Sequence, residues 1–227
     1  MAEPNPEELF NRGEDILNFA LKGGGGTFRP DSLEAKEYYI QAKEYFEKAC
    51  ELNYAKGCVN LGSLYQGEGL VIGEKNPRLK ERLEKAVQYY SKACELNSGS
   101  GCDALGSLYE YGRGVEKDLT KASQYFSKAC DLNYEFGCSW LGAMQYQGKV
   151  VVKNEKQAMK KFEKACKLGY KEVCEMVTYK GLCELGHKEA CEIFSLEVLC
   201  RLSDLKACGM SYDKRKALGF LGGLGYR

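Results

Sequence analysis

The sequence is poor in residues that metal chemistry and nucleic-acid binding most often need. His187 is the only histidine among 227 residues, whereas a catalytic zinc usually takes several imidazole or carboxylate ligands. The 33 basic and 32 acidic residues leave a net charge of +1, and they are mixed along the chain, so no basic stripe could follow a phosphate backbone. We therefore expect no metal, no other cofactor and no nucleic-acid partner.

Long hydrophobic runs are also missing. No window approaches the roughly 18 to 20 apolar residues of a membrane span, and the start MAEPNPEELF lacks the basic and apolar regions of a signal peptide. With 44% hydrophobic and 11% aromatic residues, the chain can still bury a core. The sequence predicts a folded, soluble monomer without a membrane span.

Cysteine, in contrast, is abundant and regularly placed. The twelve cysteines form six pairs, and the members of each pair are always eight residues apart. Three successive pairs recur with a period of 36, within YYSKACELN, YFSKACDLN and KFEKACKLG, which indicates a solenoid of repeats. The pairs are Cys50 with Cys58, Cys94 with Cys102, Cys130 with Cys138, Cys166 with Cys174, Cys183 with Cys191, and Cys200 with Cys208.

These pairs are compatible with two kinds of cross-link. A turn such as 131–137 lets two helices run antiparallel with their sulfurs facing, which suits the Cα separation of about 4.4 to 6.8 Å in a disulfide. Zinc sites built from four thiolates are the alternative, although the pairs lack the short two-to-four-residue spacing of metal knuckles. We favour disulfides, and hence an oxidising compartment, since reducing buffers keep cytosolic thiols free.

Each 36-residue repeat is predicted to form a helical hairpin. In the repeat that begins at Gly101, apolar and small residues recur at spacings of three and four in two stretches, and glycines at 112 and 114 separate them. We name the first helix of each hairpin helix A and the second helix B. Asp118 and Asn154 are each placed to cap a helix B, because both side chains accept a bond from an orphan backbone N–H.

The predicted fold is all-α, a right-handed α/α solenoid with one disulfide per repeat. Two-helix repeats are expected over residues 1–175, with hairpins at 5–53, 54–97, 98–133 and 134–169. After Cys166 the interval between pairs drops to 17, which predicts single-helix half-repeats over 170–208, with short helices at 175–182 and 192–199. Residues 209–227 are predicted to be a tail, and the glycine-rich segment 23–28 a loop.

The pattern GC..LG.LY..G.GV.KD..KA..Y[FY].KAC.LN resembles the Sel1-like repeat, a relative of the tetratricopeptide repeat. The spacing of eight with KAC[ED]LN is similar, more narrowly, to the Helicobacter cysteine-rich protein family. That resemblance implies secreted or periplasmic proteins with one disulfide per repeat, several of them penicillin-binding proteins with weak β-lactamase activity. It supplies no catalytic motif, and the 17-residue half-repeats depart from the family pattern.

Candidate catalytic residues are correspondingly few. A serine β-lactamase typically carries S-x-x-K with the serine opening a helix, and Ser203-Asp204-Leu205-Lys206 fits those letters. Neither S-D-N nor K-T-G accompanies it, and ordinary variation of a turn explains it. His187 occupies the variable turn position that Tyr54, Tyr134 and Tyr170 hold elsewhere, so we interpret it as a surface turn residue.

The helix A side chains are predicted to line a concave face, the usual binding surface of solenoids. Asp103, Ser107 and Glu110 share one helical face, where a hydroxyl stands between two carboxylates. By analogy with tetratricopeptide helices, the candidate binding residues on this face are Ser63, Gln66, Asp103, Ser107, Glu110, Ser139 and Tyr146.

Two functions follow from these expectations. The first, implied by the resemblance alone, is binding and slow hydrolysis of β-lactams. The second is a secreted, non-catalytic scaffold that binds extended peptides, cell-wall peptide fragments or host proteins on the concave face. An intracellular adaptor is a third possibility, because Sel1-like proteins also serve as adaptors.

Overall fold

The computed structural model describes residues 4–26, 32–71, 78–148, 153–202 and 204–217. Over these ranges the chain is helical and contains no β-strand. In chain order the elements are α1 (Pro6–Leu21), α2 (Gly23–Gly26), α3 (Leu33–Glu51), α4 (Ala55–Val71), α5 (Arg78–Glu95), α6 (Gly99–Tyr111), α7 (Leu119–Asp131), α8 (Glu135–Gln147), α9 (Glu155–Lys167), α10 (Lys171–Glu184), α11 (Lys188–Arg201) and α12 (Leu205–Ala217).

The helices group into two compact units, residues 1–122 and residues 123–227. In the first unit α1 packs against α3 and α4 against α5, and α4 also contacts α3 and α6. In the second unit α8 packs against α9 and α10 against α11, while α11 also contacts α8 and α12. The predicted class, an all-α array of helical hairpins with one disulfide per repeat, is confirmed.

All six cysteine pairs are closed as disulfides, with the partners that the spacing predicted. Their Cα–Cα distances lie between 4.4 and 4.8 Å, at the short end of the range that the geometry allows. The linked residues are Cys50 and Cys58 (4.7 Å), Cys94 and Cys102 (4.5 Å), Cys130 and Cys138 (4.4 Å), Cys166 and Cys174 (4.8 Å), Cys183 and Cys191 (4.6 Å), and Cys200 and Cys208 (4.7 Å).

The turns inside these disulfides share a backbone feature. In the first five, one residue takes the left-handed conformation, as Asn133 does with φ of 60° and Gly169 with φ of 105°. Asparagine and glycine adopt this conformation most readily. The turn residue therefore reverses the chain and brings the two cysteines together.

Small residues let the helices approach closely beside a disulfide. A Cβ atom on Gly137 would lie 2.5 Å from Ala129 Cβ and 3.0 Å from the Cys130 backbone nitrogen. Further along α8, a Cβ on Gly142 would lie 2.9 Å from the ring of Phe162. The hairpin core is therefore built from glycine and alanine packed against fully buried aromatic rings such as Phe162.

The predicted helix caps form as expected. The Asp118 carboxylate accepts from Lys121 N at 2.9 Å, and the Asn154 side chain accepts from Gln157 N at 3.0 Å. Gly112 ends α6 in a left-handed conformation with φ of 69°. These contacts are local, so the sequence determines them directly.

The short helices near the C-terminus are longer than predicted. They begin at Lys171 and Lys188, whereas the sequence placed their starts after the second cysteine of a pair. Each helix therefore contains two cysteines from successive disulfides: α10 holds Cys174 and Cys183, and α11 holds Cys191 and Cys200.

Two segments predicted to be irregular are partly ordered. The predicted tail begins as helix, because α12 contains Cys208 and continues to Ala217 with Ser211 and Arg215 buried. Gly23, Gly24 and Gly25 form a left-handed turn rather than an open loop. The remaining parts of these two predictions, residues 218–227 and 27–28, lie outside the described residues.

Candidate functional site

A groove opens in the first unit where three helices meet. Its volume is about 290 Å³, close to the lower limit for small-molecule pockets. Helices α1, α4 and α6 contribute its walls. The residues that line it are Phe10, Glu14, Lys56, Val59, Asn60 and Ser100.

The floor of this groove is apolar and firmly packed. Phe10 is 6% exposed, and its ring lies 5.7 Å from the ring of Phe46 and 5.3 Å from that of Tyr54, centroid to centroid. Val59 is half-buried and packs against the cluster that contains Cys58. The floor of the groove is therefore formed by side chains that pack within the first unit.

Opposite charges line the same groove without neutralising each other. Asn60 Nδ2 donates to Glu14 Oε1 at 3.5 Å, while the Lys56 ammonium lies 6.0 Å from the centroid of the Phe10 ring. Within the described part of the chain, neither Glu14 nor Lys56 forms a salt bridge. The groove therefore offers one anion and one cation to a ligand.

The predicted residues of α4 lie further along the same helix. Ser63 is exposed and Gln66 is half-buried, and both contact the hydroxyl of the buried Tyr90. That hydroxyl donates to Gln66 Oε1 at 3.0 Å and lies 3.0 Å from Ser63 Oγ. Burial raises the pKa of Tyr90, and the hydrogen bond with Ser63 lowers it in part. Among Ser63, Gln66 and Tyr90, Ser63 is thus the residue most accessible to a ligand.

Two of the predicted binding residues are not outward-facing. Glu110 is 7% exposed and Ser139 is 2% exposed, so the tetratricopeptide analogy is wrong about their exposure. Glu110 lies in the last turn of α6, where the following loop folds back and Asp118 N donates to Tyr109 O at 2.9 Å. Ser139 lies beside Cys138, where the disulfide draws α8 against the preceding helix.

The remaining predicted residues are half-buried. Asp103 and Ser107 lie on α6 in the first unit, and α6 contacts α4. Tyr146, on α8 in the second unit, packs edge-on against Phe194 at 5.2 Å. Ser63, Gln66, Asp103 and Ser107 are therefore on neighbouring helices of one unit, and their binding role stays a prediction.

The cysteines take no direct part in a reactive site. All twelve lie in the described ranges, and none is free. A disulfide sulfur carries no thiolate, which is the form that attacks a substrate or binds a metal. The alternative of four-thiolate zinc sites is therefore wrong for all six pairs. These pairs are Cys50 and Cys58, Cys94 and Cys102, Cys130 and Cys138, Cys166 and Cys174, Cys183 and Cys191, and Cys200 and Cys208.

A buried polar cluster in the second unit was not found from the sequence. Ser211 Oγ donates to Glu197 Oε1 at 2.5 Å, and the Arg215 guanidinium lies 3.5 Å from the same carboxylate and donates to Glu175 Oε2 at 3.1 Å. Burial raises the pKa of the adjacent Tyr179, and the Arg215 charge opposes this effect. The cluster joins α10, α11 and α12.

One sequence signal could have drawn attention to this cluster. Ser211-Tyr212-Asp213-Lys214 is a second match to S-x-x-K. Lys214 does not pair with Ser211, since it forms its salt bridge with Glu192. Ser211 is 1% exposed, so a substrate has no open path to its hydroxyl in this conformation.

Asp204, from the first S-x-x-K match, and the lone histidine each precede a helix. Asp204 caps α12 by accepting from Ala207 N at 3.0 Å, and Ser203 lies outside the described residues. His187 is exposed and precedes α11 without a side-chain cap bond. Within the described ranges, no group of three or more histidine, cysteine, aspartate or glutamate side chains could hold a metal ion.

A second groove, of about 400 Å³, lies between α9 and α10. Its charges are already satisfied in part, because Lys180 Nζ lies 3.6 Å from Glu184 Oε1. Its lining is almost entirely charged, with Met159 as the one apolar side chain. We regard this groove as a weaker candidate than the groove of the first unit, which has an apolar floor.

An aromatic pair in the first unit lies among charges. The Tyr65 and Tyr89 rings stack at 5.5 Å, and the Lys43 ammonium lies 3.9 Å from the Tyr65 centroid. The Tyr89 hydroxyl donates to Glu47 Oε1 at 3.4 Å. Burial, with smaller contributions from Tyr65 and Glu47, raises the pKa of Tyr89 to about 12.

Comparison with known proteins identifies the repeat. The Sel1 repeat profile matches residues 19–54, 55–98, 100–134 and 136–170, well over half of the chain. The chain belongs to the Sel1 repeat family. The expected resemblance to the Helicobacter cysteine-rich proteins is also confirmed for this Sel1 repeat protein. No described helix is long and apolar enough to cross a membrane.

Individual relatives of this Sel1 repeat protein come from several bacteria. It is 39% identical over 74 residues to "Beta-lactamase HcpA" of Helicobacter pylori, a match that covers 33% of this chain and 22% of that protein. It is 48% identical to the solved structure of Helicobacter pylori cysteine rich protein B, covering 64% of this chain and 98% of that one, with a TM-score of 0.46.

A Sel1 repeat protein from Oxalobacter formigenes shares the fold at 24% identity and a TM-score of 0.56, over 76% of this chain and 63% of that one. The chain spans about a fifth of the length of the curated relatives that it matches.

Proposed function

We propose that this protein is a non-catalytic binding scaffold whose ligands are peptides, bound along the A helices of the first unit. The observation that carries the proposal is the groove between α1, α4 and α6, where a packed apolar floor lies beside an acid and a base that form no salt bridge within the described part of the chain. Such a surface suits a ligand that carries both polar groups and apolar side chains.

Two further observations support a binding role. The chain belongs to a repeat family, and repeats of this kind build extended binding surfaces by stacking. The hydroxyl group best placed beside a carboxylate, Ser211, is buried and held by Glu197. The described part of the chain thus offers an accessible groove and an inaccessible serine–carboxylate pair.

Binding of fluorescently labelled random peptides of eight to ten residues, measured by polarisation, tests the proposal. Ser63→Arg adds bulk and charge on the exposed part of α4 and is expected to weaken binding. Gln88→Arg introduces the same charged side chain on the exposed face of α5 and should leave the affinity unchanged. Equal affinity of both variants and the parent protein would place the peptide site elsewhere.

A second candidate is binding and slow hydrolysis of β-lactams, which we propose because a relative carries the name "Beta-lactamase HcpA". One geometric feature favours it. The Glu197 carboxylate could accept the Ser211 proton as the hydroxyl oxygen bonds to the lactam carbonyl carbon, and it could return that proton to the ring nitrogen as the C–N bond breaks. A helix movement must first expose Ser211.

Covalent labelling by a fluorescent penicillin and ring opening followed by absorbance test this candidate. Ser211→Ala is expected to abolish labelling, while Ser195→Ala, an exposed serine on α11, is the control. Absence of both labelling and ring opening at high concentration, in protein free of contaminating enzyme, rules this candidate out.

We also propose that the protein works outside the cytoplasm, in the periplasm or after secretion. The support is that all twelve cysteines are paired within the chain, which reducing compartments oppose. Mass measurement of protein isolated from its native cells, after alkylation with and without reductant, tests this. Twelve thiols alkylated without reductant would contradict it.

A further inference from the structure

We infer that the groove between α1, α4 and α6 recognises a short free peptide by its two charged ends. The inference rests on the proposed function and narrows it. Glu14 would receive the α-ammonium group, Lys56 would receive the α-carboxylate, and Phe10 with Val59 would contact the side chain between them.

The charges that lack a salt bridge are the first step of the argument. Glu14 and Lys56 line one groove, yet they form no salt bridge with each other or with another described residue. Two opposite charges that line one groove without pairing are complementary to a ligand that carries both an anion and a cation. A zwitterionic peptide has that arrangement.

The supporting contacts favour this assignment. Asn60 Nδ2 donates to Glu14 Oε1 at 3.5 Å, which orients the side chain and leaves its second oxygen for an ammonium donor. Lys56 lies in the first turn of α4 and is exposed, so its ammonium can move to meet a carboxylate. Charged hydrogen bonds of this kind are stronger than neutral ones.

The size of the groove limits the length of the ligand. About 290 Å³ lies at the lower end of the range for small-molecule pockets, and each added residue lengthens an extended chain by roughly 3.3 to 3.6 Å. A dipeptide fits these limits, whereas a long chain would have to leave the groove. Ser100, which is half-buried and has its Oγ 3.1 Å from Ser98 Oγ, adds a hydroxyl for the peptide bond.

Calorimetric titration of the full chain with three forms of one dipeptide tests the inference. The probes are alanyl-leucine, its N-acetylated form and its C-terminal amide. Capping either end is expected to weaken binding by about tenfold, because each cap removes one charged contact.

The variants connect each end of the ligand to one residue. Glu14→Gln should bind free and acetylated dipeptide equally, while amidation still weakens its binding. Lys56→Gln should show the reverse pattern. Glu8→Gln on α1 and Lys36→Gln on α3 are exposed controls outside the groove, and they should behave as the parent protein. Circular dichroism confirms that each variant folds.

Three results would overturn the inference. The first is equal binding of capped and free dipeptides by the parent protein, the second is loss of both preferences together in each variant, and the third is no binding of free dipeptide at millimolar concentration. If the labelled longer peptides still bind in these cases, the proposed scaffold function stands and only the recognition of chain ends fails. If neither class binds, both proposals fail.

Discussion

Replacing Gly137 by alanine tests the close helix approach beside a disulfide. The new Cβ would lie 2.5 Å from Ala129 Cβ, 3.0 Å from Cys130 N and 3.0 Å from Phe126 O. Two of these three neighbours are backbone atoms, so the preceding helix has to move as a whole. Overpacking of this kind typically costs about 1 to 3 kcal/mol, and we expect Gly137→Ala to lower the free energy of unfolding by about 2 kcal/mol.

Gly181 provides the matched control in the same unit. It lies in α10, and a Cβ there would have nothing within 4 Å. Alanine is favoured over glycine in a helix by about 0.5 to 1 kcal/mol, so Gly181→Ala should raise the free energy of unfolding by that amount. The same chemical change is therefore expected to have opposite signs at the two positions.

Urea denaturation followed by circular dichroism measures both effects. A third variant, Gly137→Ala combined with Ala129→Gly, removes the shortest contact and should show a favourable coupling energy between the two positions. The reasoning is refuted if Gly137→Ala is as stable as the parent protein or more stable, since the helices would then separate at no cost.

Three other predictions follow from the packing and charges. Replacing Cys130 and Cys138 together by alanine should lower the free energy of unfolding by about 2.5 kcal/mol, the loop-closure value for so short a loop, and an unchanged urea midpoint would contradict this. Arg215→Met should cost about 3 kcal/mol or more, because it leaves Glu197 buried without a counter-charge, whereas the exposed Lys216→Met should change little. Tyr89 should titrate at about pH 12, visible as the difference in ultraviolet absorbance between the parent protein and Tyr89→Phe. Because its folded pKa exceeds its ordinary value, its contribution to stability is complete below about pH 10 and declines as the pH rises to about 12. A difference titration centred on about pH 10, the ordinary value for tyrosine, would show that Tyr89 is fully solvated.

The features that the sequence predicted well are local ones. The cysteine pairs lie eight residues apart on either side of a single turn, so the turn itself brings the sulfurs together. Asp118 and Asn154 cap the helices that they precede, and Gly112 ends the helix that it follows. In each case the interacting atoms belong to residues that are close together in the chain.

Features that depend on distant residues were missed or misjudged. The helix after residue 209 is stabilised by Arg215 contacts with Glu175 and Glu197, which lie on two other helices. The groove of the first unit joins Glu14 to Lys56 and Ser100 across three helices. Because α1 contains no cysteine, the cysteine spacing could not align this helix with the later repeats. The sequence therefore did not predict that these three residues lie in one groove.

At the six disulfides, the distance between the linked Cα atoms stays nearly constant while the neighbouring residues vary. The residue before the second cysteine is Gly137 in one repeat but Val173 in the next, yet the Cα atoms of the linked cysteines stay 4.4 to 4.8 Å apart in all six pairs. The sulfur bridge therefore holds one point of contact between successive helices at a nearly constant distance, whether the adjacent residue is glycine or valine. Substitution at this single position offers a way to test how neighbouring helices accommodate a larger side chain while their covalent connection stays unaltered.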